Sequence, residues 1–99
     1  MPKNLMSRSL TSSVSGKIIP GACVNIRAKE TVITPSNVVG VIGIRQSLAD
    51  RRLTIGATLI PSDWSGEPNV QFINHGDETI YIVEGDELAN VVYLNEFMG

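Results

Sequence analysis

The stretch LIPSDWSGEPNVQFINHG, residues 59–76, sets two acids, a tryptophan and a histidine between apolar runs. Asp63 and Glu67 flank Trp64, and paired loop acids can do acid–base work or hold a hard cation. The same acids beside Ser and Gly also serve as turn formers. His75 is the sole histidine; as a general base it would need a partner and a substrate within reach, and before Gly76 it equally fits a surface turn. Trp64 suits an interface anchor or the lip of a pocket if exposed, and the core if buried. Upstream, Arg45, Arg51 and Arg52 surround Ser47 in RQSLADRR. Three cations and a hydroxyl can hold a phosphate, and they also fit a solvated loop or salt bridges across a subunit interface. Cys23, the single cysteine, has no nearby His or Asp and reads as a small buried hydrophobe. With no G-x-x-x-x-G-K motif and no Cys/His cluster of metal-binding spacing, no metal and no cofactor are expected.

The elements that must position these residues are strands. The chain has 99 residues, enough for one domain, and its apolar fraction of 42% suits a globular fold. Val and Ile dominate that fraction, which favours a pleated, half-buried surface. ACVNIRAK, VVGVIGIR, LTIGATLI, NVQFIN, TIYIV and LANVVYL read as strands separated by turn-rich segments. This spacing predicts an all-β sandwich or barrel. The two glycines of VVGVIGIR predict a close backbone approach or a bend, and RQSLADRR is the only helical candidate, about a turn long. Residues 1–16, MPKNLMSRSLTSSVSG, are Ser-rich and aperiodic; they read as an extended arm docked on a neighbour, ahead of a single β domain over 17–99.

Net charge is −2 and unevenly spread. Lys3, Arg8, Lys17, Arg27 and Lys29 precede every acid, and all Asp and Glu lie from Glu30 onward. A basic start and an acidic end suggest self-association or an acidic partner. The body lacks the clustered cations that nucleic acid requires. No apolar run is long enough for a membrane span, and the N-terminus lacks the apolar core of about 7–15 residues that marks a signal peptide.

Taken together in order, IIPGACVNIRAKETVITPSNVVGVIGIRQSLA, LIPSDWSGE and VQFINHGDETIYIVEGDELANVVYL resemble the dUTPase and dCTP deaminase superfamily over about Ile19 to Leu94. The resemblance implies a distorted jelly roll, a homotrimer and nucleotide sites at subunit boundaries. It places Arg45, Gln46, Ser47, Asp63, Trp64 and Asn74 in a nucleotide pocket that has lost its chemistry. The aspartate that activates water in dUTPases falls at Pro61, and the deaminases' glutamate falls at Gln71. Glu87 and Asn90 stand where the family pattern has arginine and glutamine, and the glycine-rich closing arm has no counterpart before Gly99. No residue is therefore assigned a catalytic role, and the chain is expected not to be an enzyme.

On that basis the expected role is structural: a trimer engaging a protein partner through its arm, most specifically a phage capsid decoration protein. Lys3, Arg8, Trp64 and Asn90 are its expected interface residues. The expected location is the virion or host cytoplasm, with no membrane or nucleic-acid partner. A nucleotide-binding or regulatory protein on the same pocket is the first alternative, and a divergent pyrophosphatase or deaminase the second.

Overall fold

The computed structural model describes residues 7–95. Eleven strands and one short helix follow in order: β1 (Ser7–Thr11), β2 (Gly16–Ile18), β3 (Cys23–Arg27), β4 (Val32–Thr34), β5 (Val38–Ile44), α1 (Gln46–Ala49), β6 (Leu53–Ile55), β7 (Leu59–Ile60), β8 (Trp64–Gly66), β9 (Asn69–Asn74), β10 (Ile80–Ile82) and β11 (Glu87–Asn95). They form four small antiparallel sheets, ordered β1-β11-β5-β7, β10-β2, β3-β9-β6 and β4-β8. The sheets wrap one core as a distorted jelly roll, in which Leu10, Ile18, Val32, Leu53, Phe72 and Leu88 are sealed from solvent.

Period-two alternation explains which side chains enter that core. On β9, Val70, Phe72 and Asn74 point inward, while Asn69, Gln71 and Ile73 share the other face. On β3 the inward residue is Ile26, so Cys23 falls in the opposite phase and is exposed rather than buried. Within β5, Gly40 lets the strand lie against its neighbours: a Cβ there would come within 3.0 Å of Val91 and 3.2 Å of Ile60. The expected single strand LTIGATLI is two strands in different sheets, β6 pairing with β9 and β7 with β5. The break falls at Gly56, whose N–H donates to the Gln71 carbonyl at 2.9 Å and whose bare Cα gives room for the Gln71 side chain.

The largest departure from expectation is the arm. Ser7–Thr11 is a strand of the main sheet, paired with the chain's own β11, and Leu10 is fully buried. Burial of a leucine contributes about 1.5–3 kcal/mol, which makes this segment part of the body. Ser12 continues the attachment, donating to the Asp86 carbonyl and accepting from Gly85 N–H. The sequence hid this because strand β1 has a single inward apolar residue. Ser7–Thr11 therefore gives no support to the attachment role expected of residues 1–16, while residues 1–6, Lys3 among them, lie outside the described residues. The basic and acidic parts of the chain meet within the molecule where Lys29 Nζ lies 3.3 Å from Glu84, while Arg8 Nη1 donates to the backbone carbonyl of Thr31 at 3.0 Å.

Glu30 clasps β1 from the side. Its carboxylate accepts from Thr11 N–H at 2.7 Å and from Thr11 Oγ1–H at 2.6 Å. Burial pushes this carboxyl up, but the hydrogen bonds from the Thr11 hydroxyl and backbone, aided by Arg8, outweigh it and leave Glu30 below the usual carboxylate range. A depressed folded value means stability that is present above the unfolded value and is lost as pH falls through the folded one. The thermal midpoint of the native protein is therefore expected to fall more steeply with acidification below about pH 4.5 than that of Glu30→Gln. Parallel pH profiles for the two proteins would rule the clasp out.

Candidate functional site

Two separate regions hold most of the residues singled out above as candidates for chemistry. The first is a polar cleft of about 300 Å³ between α1 and the β10–β11 turn, lined by Arg45, Ser47, Leu48, Arg51, Tyr81, Ile82, Asp86 and Glu87. Arg45 follows β5 in extended backbone and leads into α1, and its N–H donates to the Leu88 carbonyl at 3.2 Å, which fixes the start of the loop. Its guanidinium makes a salt bridge to Glu87 and its Nε donates to Ser47 Oγ at 3.1 Å. Of the residues expected here, Arg45 and Ser47 meet, and Arg51 joins them. Gln46 turns away to donate to Asp50 Oδ1 at 2.8 Å. Arg52 lies elsewhere, beside the Gly76 turn, with its carbonyl accepting from His75 N–H.

The second region is the loop from Pro61 to Trp64. Thr34, buried on β4, ties both of its ends: Oγ1–H donates to the Pro61 carbonyl at 2.6 Å and Oγ1 accepts from Trp64 N–H at 3.0 Å. Asp63 sits in the left-handed region at φ 58°, a conformation that Asp and Asn tolerate better than most residues. Ser36 Oγ–H donates to Asp63 Oδ1 at 2.9 Å. No side chain among the described residues donates to Oδ2, which leaves that oxygen open to water. Glu67 is held by a different hydroxyl, that of Thr31, at 3.0 Å. The two acids are thus positioned separately and do not act as a pair. Trp64 is half-buried, packed against the core with its ring over Gly66, and it lines a small cleft of about 140 Å³ with Leu59, Ile60 and Pro61.

Other candidates resolve into structural roles. Asn74 is 1% exposed; its Nδ2 donates to the carbonyls of Ile18 and Glu78, and its Oδ1 accepts from Gly76 N–H. Every polar atom of that side chain is used inside the body, so none is left to line a pocket. His75 shares a 2.9 Å hydrogen bond with Thr54 on the surface. Arg8 and Asn90 are exposed, and Ser9 Oγ lies 3.2 Å from Asn90 Oδ1. Thr34 and Ser36, which set the Asp63 loop, were not singled out in the sequence. Thr-Pro-Ser reads only as a turn, and the contacts cross 27 residues. Among the described residues no group of three His, Cys, Asp or Glu could hold a metal, and no helix is long and apolar enough to cross a membrane.

The Arg45 cleft and the Trp64 cleft share no lining residue. One chain therefore presents two separate clefts, one in which Arg45 and Arg51 face Asp86 and Glu87 and one beside Trp64 at the end of the Asp63 loop, each open to solvent.

Comparison with known proteins gives this arrangement a context. A family model described as dUTPase matches residues 10–97. The deoxyuridine 5'-triphosphate nucleotidohydrolase of Desulfitobacterium hafniense is 35% identical over 86 residues, covering 83% of this chain and 57% of that protein. The swinepox virus protein of the same name is 30% identical over 98 residues, covering 94% of this chain and 69% of that protein. Among solved structures, the native EIAV dUTPase matches with a TM-score of 0.84 at 20% identity, covering all of this chain and 88% of that one. The dUTPase from phage phi11 of S. aureus matches with a TM-score of 0.84 at 18% identity, covering 94% of this chain and 78% of that one. The chain thus spans little more than half the length of its bacterial relative.

These relatives overturn the expectation that the chain is not an enzyme, since those at 30–35% identity are named as hydrolases. The physical basis of that expectation was too narrow. Pro61 and Gln71 carry no acid or base at neutral pH, but a carboxylate stands two residues beyond Pro61, at Asp63.

Proposed function

This chain belongs to the dUTPase family, and from that premise we propose that it binds a deoxynucleoside triphosphate between identical subunits and hydrolyses its phosphate chain with a water activated by Asp63. The observation that carries this reading is the division of the site. Arg45, Ser47 and Arg51 offer charge-assisted donors for phosphate oxygens in one cleft, and Asp63 offers an acceptor for a water proton on a separate loop. Neither half is complete alone, so the reaction requires the loop of one subunit to face the cleft of the next. An apolar sheet face supports such an assembly. On β11, β5 and β7 the register places Val92, Val41 and Leu59 in one row and Leu94 and Val39 in the next, all on the side away from the core. Val41, Leu59 and Leu94 are exposed in the single chain.

The chemistry is a displacement at phosphorus. The Asp63 carboxylate accepts a proton from water, the water oxygen bonds to phosphorus, and the P–O bond to the departing phosphate group breaks. With dUTP, named in the relatives, the products are dUMP and pyrophosphate. The arginines of the cleft offset charge on the phosphate oxygens as the bond breaks.

A nucleotide-binding switch on the same pocket is the second reading. It is favoured by the exposed Arg45–Glu87 pair, because Glu87 Oε2 also accepts from Ser9 Oγ on β1 at 3.0 Å. A ligand that takes Arg45 would then disturb the edge of the main sheet. Incubation with dUTP distinguishes the readings. Hydrolysis predicts dUMP and pyrophosphate in equal amounts from an assembly of three 10.7 kDa chains. Bound dUTP that stays intact would favour the switch, and no binding at millimolar dUTP would end both.

A further inference from the structure

The cleft that would take the phosphates is nearly neutral. Arg45 and Arg51 are opposed there by Asp86 and Glu87. The two acids are not equivalent. Asp86 is a turn former whose Oδ2 accepts from Val83 N–H at 2.8 Å, which fixes its carboxylate to the β10–β11 turn. Glu87 has no such backbone role. One of its oxygens meets Arg45 and the other accepts from Ser9 Oγ at 3.0 Å. Arg51 is exposed and makes no ion pair among the described residues.

We propose that Glu87 is a specificity-determining residue of this cleft: a built-in counter-ion on Arg45 that an incoming anion must displace, and that weakens binding in proportion to the anion's charge. This rests on the reading that the cleft receives the phosphate end of a nucleotide. Three features of the geometry support it. Arg45 is the only arginine of the cleft tied to both the loop hydroxyl and a carboxylate. Its partner is half-exposed, with 45% and 46% of the two side chains open to solvent, so exchange for a ligand is sterically open. An exposed ion pair is held by little energy, so a phosphate can compete for the guanidinium with its own bidentate geometry. After displacement the Glu87 carboxylate stays close by, tethered by Ser9, and repels each further negative charge that enters. A chain of phosphates suffers more from this than a single phosphate. The cleft therefore discriminates little between a nucleotide with one phosphate and one with three, and Glu87 is the cause.

The test is calorimetric titration of inorganic pyrophosphate and inorganic phosphate into the native protein, Glu87→Gln and the double variant Glu87→Gln/Arg45→Gln, with dUTP turnover measured on the same samples. Glu87→Gln keeps the length and the hydrogen bond from Ser9 while removing the charge. It is expected to bind pyrophosphate about three- to tenfold tighter than the native protein, with a smaller gain for phosphate. The gain should vanish in the double variant, because the freed Arg45 is what the anion uses. Equal pyrophosphate affinity in the native protein and Glu87→Gln, with dUTP turnover present, would overturn the counter-ion role and leave the nucleotide reading standing. Absence of both anion binding and dUTP turnover in all samples would overturn both. Unchanged thermal midpoints confirm that the comparison is made between folded proteins.

Discussion

Asp63→Asn is expected to lower kcat for dUTP by roughly 10²- to 10⁴-fold, the usual contribution of a positioned general base, while KM changes little. The choice of asparagine follows from the backbone. Position 63 lies at φ 58°, where Asn is at least as comfortable as Asp and a β-branched or bulky residue would be strained. The amide oxygen can still accept from Ser36, so the loop keeps its form. Thr34 clamps the same loop through the Pro61 carbonyl and Trp64 N–H, neither of which involves side chain 63. The variant therefore removes a proton acceptor and nothing that shapes the site. A fall in kcat at constant KM means an interaction made only on the way to the transition state. A rise in KM with kcat unchanged would make Asp63 a binding residue. Turnover equal to the native rate would mean that the water is activated elsewhere, and the second carboxylate of the loop, Glu67, would be next to test.

Much of the fold could be read in the sequence because alternation and turn residues are local signals. The strands over Val38–Ile44, Asn69–Asn74 and Glu87–Asn95 lie where VVGVIGIR, NVQFIN and LANVVYL place them, and α1 occupies four residues of RQSLADRR. What was not legible is set by long-range pairing. Ser7–Thr11 has too little apolar patterning to announce a strand, and it becomes one by pairing with β11, some eighty residues later. Trp64–Gly66 reads as loop and is ordered by β4, about thirty residues earlier. Residue type alone points Cys23 to the core, but the phase of its strand overrides that preference. The site divides along the same line. Arg45 and Ser47 are two residues apart in one loop, so their meeting is a local fact. Asn74 sits beside a turn in sequence and inside the body in space, where three hydrogen bonds consume its amide. The expectation that the chain is not an enzyme rests on Pro61, Gln71 and the missing closing arm, and it is overturned by relatives named as hydrolases rather than by any single residue.

Leu59→Glu is expected to reduce the particle from three chains to one and to abolish turnover with it. Leu59 is 62% exposed on β7, opposite Val41, in the row that continues to Val92. Five apolar side chains on one sheet face form a patch of the sort that marks an interaction surface. Symmetry multiplies the effect of a single change, because each substitution recurs in every subunit and brings like charges towards one another. Glutamate is preferable to lysine, whose long stem can still cover apolar surface while its charge escapes. The cost to the isolated chain is small, since β7 is a two-residue edge strand and Leu59 leaves its core neighbour Ile60 in place. Light scattering reads the mass and pyrophosphate release reads the activity, and the two together separate assembly from chemistry. An intact trimer would show that the contact lies on another face. A monomer that still turned over dUTP would place Arg45 and Asp63 in one working site within a single chain. If the site is shared, mixing the inactive variants Arg45→Gln and Asp63→Asn and letting subunits exchange should restore about a quarter of native activity, the fraction of boundaries at which an intact cleft meets an intact loop. No recovery on mixing, with exchange verified by mass, would mean that both residues must come from the same subunit.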